Sequence, residues 1–132
     1  MVSRACATRR SRGFTLLELI VVMSIVALLA SLAAPRYFDS VERARERVLR
    51  HNLNILRDAI DKFHADTGAY PPSLAELASR RYVRRVPEDP VTGSDATWIV
   101  VGPPAASGEG GVYDVRSGAP GNAMDGTAYG AW

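Results

Sequence analysis

Arg12-Gly13-Phe14-Thr15-Leu16-Leu17-Glu18 opens an apolar run that ends at Pro35, and the reading of that run decides the fold. Residues 14–34 make 21 positions with a single charge, Glu18. At the α-helical rise they span roughly 32 Å, which matches a bilayer hydrocarbon core of about 30 Å. A carboxylate at that depth costs on the order of 2.5–3.5 kcal/mol on insertion scales, so Glu18 requires a partner or a function. Ahead of the run stand Arg4, Arg9, Arg10 and Arg12, a short basic leader.

Two plainer readings compete. An ordinary secretory signal would use the arginines as its basic region and Ser31-Leu32-Ala33 as its cleavage site. The apolar run, however, exceeds the usual 7–15 residues, and Glu18 sits in its first turns. A simple membrane anchor with Arg12 on the cytoplasmic side satisfies the positive-inside rule and leaves Glu18 unexplained. The junction resembles the class III signal of type IV prepilins and of type II secretion pseudopilins. That resemblance implies cleavage after Gly13 by a prepilin peptidase and N-methylation of the new terminal Phe14. It also implies pairing of Glu18, at the fifth mature position, with the N-terminus of a neighbouring subunit. Pro35 falls 22 residues into the mature chain, where pilins carry a proline, and a helix bend is expected there.

Of 132 residues, 119 remain after a 13-residue leader is removed, enough for one membrane helix and one small domain. The formal charge of +2 comes from the leader: the mature part keeps 12 basic residues against all 14 acids. A net −2 gives no electrostatic footing for nucleic acid. The only cysteine, Cys6, also lies in the leader, so the mature chain has neither disulfide nor thiol chemistry.

Residues 37–66 read as a helix leaving the membrane, with Val41, Val48, Ile55, Leu56, Ala59, Ile60 and Phe63 on one side. Glu46/Arg50 and Asp58/Lys62 are acid-first pairs at four-residue spacing. Gly68 suits a C-terminal cap, and Ser73 with Glu76 forms a capping box for a short helix over Leu74–Arg80. Arg80, Arg81, Arg84 and Arg85 make a basic cluster whose simplest role is a solvated surface. Asp89-Pro90-Val91-Thr92-Gly93 is turn chemistry. Strands are expected at 98–101 and 112–115, with a Gly/Pro-rich loop between them. The tail from Arg116 lacks periodicity, but Tyr129 and Trp132 give it something to bury.

The segment Asp66-x-Gly68-x-Tyr70-Pro71 with Leu74 and Leu77, and the Asp-Pro turn before a small sheet, resemble the G-type (major) pseudopilins. The implied fold is α+β and type IV pilin-like. A long N-terminal helix, half transmembrane and half amphipathic, packs on a small antiparallel β-sheet with a C-terminal loop. The implied organisation is a cleaved leader at 1–13, a transmembrane helix at 14–34 and a periplasmic domain at 35–132.

In that family the C-terminal loop binds one calcium ion. Here Asp114, Ser117 and Asp125, with Asn122 nearby, are the candidate ligands, and Pro120 stands where an acid is expected. Enzymatic motifs are absent, and His51 and His64 lie 13 residues apart on one helix, too far to share a metal.

The resemblance implies a structural subunit of a type II secretion pseudopilus. It would be anchored in the inner membrane with its N-terminus cytoplasmic, then drawn into a helical periplasmic filament. Its partners would be copies of itself, other pseudopilins, the prepilin peptidase, the inner-membrane assembly platform and the lipid bilayer. A pilin of a type IV pilus is the alternative, and a membrane-anchored periplasmic enzyme a more distant one.

Overall fold

The computed structural model describes residues 13–132; the basic leader, with Cys6, lies outside the described residues. The described residues divide into two compact units, one ending at Phe38 and the other spanning Asp39–Trp132. One helix, α1 (Leu16–Thr67), contributes to both, and Pro35 lies inside it.

In the first unit α1 is apolar and carries its large side chains exposed, including Leu16, Leu17, Ile20, Met23, Leu28 and Leu32. It contains a window of mean hydropathy 2.6, long and apolar enough to cross a membrane. Its two serines are satisfied internally: the Ser24 hydroxyl donates to the Ile20 carbonyl and the Ser31 hydroxyl to that of Ala27. Such back-bonding lets small polar side chains sit in an apolar medium.

In the second unit one face of α1 forms the core. Leu49, Leu53, Leu56, Ala59, Ile60 and Phe63 are buried, a spacing of three and four residues. The buried stripe is rotated from the expected one: Val48 and Ile55 are exposed, and Leu49 and Leu53 take their place inward. Both sets are apolar, and the position of the covering sheet and tail decides between them. Each fully buried leucine contributes about 1.5–3 kcal/mol.

Gly68 ends α1 at φ 75°, its N–H bonded to the His64 carbonyl at 2.8 Å. Helix α2 (Leu74–Ser79) follows, capped by the Ser73 hydroxyl, which accepts from the Glu76 N–H. The Glu76 carboxylate does not reach back to complete the box; it takes Arg80 at 2.6 Å. Leu74 and Leu77 of α2 enter the core, and Tyr70 stacks on His64 at the end of α1 with ring centroids 4.1 Å apart.

The sheet has two antiparallel strands, β1 (Ile99–Val101) and β2 (Asp114–Arg116), with Val100 opposite Val115. Both differ slightly from the expected spans. Trp98 stands just before the ladder, with its ring buried and its indole N–H donating to the Pro87 carbonyl. Val112 precedes β2 because its N–H is used by the Pro71 carbonyl. The architecture is α+β, with the amphipathic half of a long helix covered by a short antiparallel ribbon.

Candidate functional site

Gly13, Phe14 and Thr15 precede α1 as coil, and Phe14 is largely exposed. The Thr15 hydroxyl accepts from the Glu18 N–H at 3.2 Å, and the Thr15 carbonyl accepts from Leu19. Thr15 is therefore the helix N-cap, and Thr15-Leu16-Leu17-Glu18 is an S/T-x-x-E pattern that the sequence reading passed over. The cap has a functional consequence. It begins the helix immediately after the junction and sets Glu18 in the first turn, where a negative charge meets the positive end of the helix dipole. Among the described residues the Glu18 carboxylate has no hydrogen-bond or ion-pair partner.

The C-terminal loop folds back on the second half of α1. Glu46 accepts from the Met124 N–H at 2.7 Å, and Arg50 reaches Asp125 at 3.1 Å. The guanidinium of Arg50 also lies over the Trp132 ring, 4.1 Å from its centroid. The expected Glu46–Arg50 pair is thus replaced by two bonds to the tail. Trp132 donates to the Thr127 hydroxyl at 2.8 Å and meets Tyr129 edge-on, so the tail is ordered as its aromatics suggest. Asp125 Oδ1 accepts from both the N–H and the hydroxyl of Thr127. Those bonds, with Arg50 adding, hold its carboxyl below the usual carboxylate range.

The three candidate calcium ligands go to different partners. Asp114 binds Arg57 at 2.8 Å and caps its own strand at the Val115 N–H. Ser117, fully buried, donates to Asp89 at 2.5 Å and accepts from the Ala119 N–H. Asp125 binds Arg50 and Thr127, and Asn122 contributes a backbone bridge to Ala128. Among the described residues no three His, Cys, Asp or Glu gather to hold a metal. Each carboxylate faces an arginine, whose fixed positive charge opposes a divalent cation at the same oxygens. The residues present do not fit a calcium site.

Asp89 does more than form a turn. Its side chain is completely buried and accepts from Val91, Thr92 and Ser117, so the turn before β1 and the loop after β2 share one carboxylate. An acid in an Asp-Pro turn signals the two local bonds, but nothing in the sequence announces Ser117 as the third. Of the basic cluster, Arg80 is engaged by Glu76, whereas Arg81, Arg84 and Arg85 are exposed. His51 is exposed on α1, and His64 Nε2 lies 3.8 Å from a Glu109 oxygen, outside hydrogen-bond distance.

The prokaryotic N-terminal methylation motif family matches residues 8–34, the junction and the apolar run. The chain is 34% identical to the type II secretion system core protein G of Escherichia coli K12, covering 89% of this chain and 88% of that one. The protein of the same name from Vibrio cholerae is 30% identical, over 71% of this chain and 74% of its own. The fimbrial protein EcpC of Eikenella corrodens is 30% identical over 57% of this chain and 52% of its own. No solved structure matches the chain.

Proposed function

The chain belongs to the type II secretion system core protein G family, and from that premise we propose that it is a structural subunit of a pseudopilus. It is a membrane-anchored filament component and not an enzyme. The observation that carries this reading is the match along nearly the whole chain to a core protein G. A type IV pilus pilin is less favoured, since the fimbrial relative is matched over only about half its length.

In this reading the leader ends at Gly13, the peptidase exposes Phe14, and methylation caps the new amine. Residues 14–34 hold the subunit in the inner membrane, N-terminus cytoplasmic, with 35–132 periplasmic and the helix able to bend at Pro35. The Glu18 carboxylate, unpartnered among the described residues, meets the Phe14 amine of the next subunit. Two opposite charges 4 Å apart attract by about 4 kcal/mol at an effective dielectric of about 20. That attraction opposes the cost of holding a lone carboxylate in lipid, so the pair favours a subunit packed against others over one alone in the bilayer. Assembly-platform proteins and other pseudopilins then extend the helical stack, and its growth pushes periplasmic cargo outward.

The test is complementation in the source bacterium after deletion of the gene. The unmutated chain restores secreted protein in the medium, and mass spectrometry of the membrane fraction finds methylated Phe14 at the N-terminus. Glu18→Ala is processed and inserted but gives neither cross-linked filaments nor secretion. A mature N-terminus at Ala34, or full secretion by Glu18→Ala, refutes the reading.

A further inference from the structure

We infer that the C-terminal loop of this chain is closed by the Arg50 guanidinium and needs no metal ion to fold. The inference concerns the subunit's own fold and stands whether or not the filament reading holds.

Its basis is the use made of each group in the loop. Arg50 projects from the middle of α1 and makes two different contacts with the tail. Its Nη2 is 3.1 Å from Asp125, and its planar face lies 4.1 Å from the Trp132 ring centroid. A guanidinium suits this double task, because it binds a carboxylate with its edge while stacking on an aromatic with its face. The circuit then closes through the tail itself: Trp132 donates to Thr127, and Thr127 donates to Asp125. One turn earlier on α1, Glu46 pins the Met124 N–H.

At the start of β2, Asp114 is bound by Arg57, which also donates to the Val115 carbonyl at 3.0 Å. Both acids that would have to supply a cation with charge are therefore held by arginines of one helix. Calcium takes six to eight oxygens, and a guanidinium already seated on a carboxylate repels a second cation at the same oxygens. Pro120 adds no side-chain oxygen where the family resemblance places an acid. Arginine here does the mechanical work of a bridging ion, with a fixed geometry and no dependence on calcium concentration.

The experiment uses the full chain in detergent micelles, with thermal unfolding followed by tryptophan fluorescence in millimolar calcium chloride or in chelator. The two midpoints coincide within about 1 °C, because no site binds the ion. Arg50→Ala lowers the midpoint by about 5 °C in both conditions. Arg50→Lys, which keeps the charge but not the planar fork, recovers only part of the loss, and it serves as the readout should Arg50→Ala fail to fold. A calcium-dependent rise in the unmutated chain that Asp125→Ala abolishes overturns the inference. So does an Arg50→Ala midpoint equal to the unmutated one.

Discussion

Asp89→Ala tests how the second unit is held together. In the native chain the Asp89 side chain accepts from Ser117 Oγ at 2.5 Å, Val91 N at 2.8 Å and Thr92 N at 3.4 Å. Ser117 is 0% exposed, so its hydroxyl cannot turn to water when its acceptor is removed. A buried donor left unpaired costs about 1–3 kcal/mol, and the half-buried Val91 N–H adds about 1 kcal/mol. With the small void left by the carboxylate, the expected loss is about 3–5 kcal/mol. A unit of 94 residues, 39–132, has a total stability of about 5–14 kcal/mol, so this one side chain carries a large share.

The design includes Ser117→Ala and the double variant. Ser117→Ala strands Asp89 Oδ2 and the Ala119 N–H. Removing both partners strands fewer groups than the two single losses together, so the double variant costs less than their sum by about 1–2 kcal/mol. Urea unfolding of the full chain in micelles reads the cycle. Trp98 is a suitable reporter, because it is buried and its indole donates to Pro87, two residues before the turn. A loss below about 0.5 kcal/mol for Asp89→Ala, or strictly additive single losses, refutes the argument that one buried carboxylate joins the turn to the tail.

Gly118 lies where the tail crosses the start of β1, and a β-carbon there would sit 2.0 Å from the Thr97 carbonyl oxygen. Gly118→Ala forces backbone to move and costs about 1–3 kcal/mol or more, read as a lowered circular-dichroism midpoint; an unchanged midpoint refutes the close approach. Acid weakens the tail in a defined window. Asp125 has its carboxyl lowered by Thr127 and then Arg50, so its contribution is fully present above the unfolded value of about 4 and is lost as the pH falls through the folded value. Asp125→Asn is accordingly less stable than the unmutated chain at neutral pH, and the two stability curves merge in strong acid. A gap between them that stays constant with pH denies the carboxylate this role.

Much of this molecule is legible in stretches of ten to twenty residues. The apolar run with Glu18, the Gly68 stop and the Ser73 cap all appear in the structure where the sequence places them. Each depends on backbone periodicity or on side chains bonding to backbone three or four positions away, and such terms need no tertiary partner. The Thr15 cap is of the same local kind, a hydroxyl bonded to the N–H three residues on.

The tertiary structure decided the rest. Val48 and Leu49 are both apolar and adjacent on α1, and only the docking of sheet and tail turns Leu49 inward and leaves Val48 exposed. The second strand starts later than its apolar run because the Val112 N–H is taken by the Pro71 carbonyl, a partner 41 residues away. The acids of the tail could equally have gathered around an ion or dispersed to separate cations. Arg57 and Arg50, 57 and 75 residues away from Asp114 and Asp125, determine the outcome. Local sequence states which groups carry charge, but a charge's partner is set by which chain segments the core brings within about 3 Å, and that distance exists only once the helix, ribbon and tail have packed.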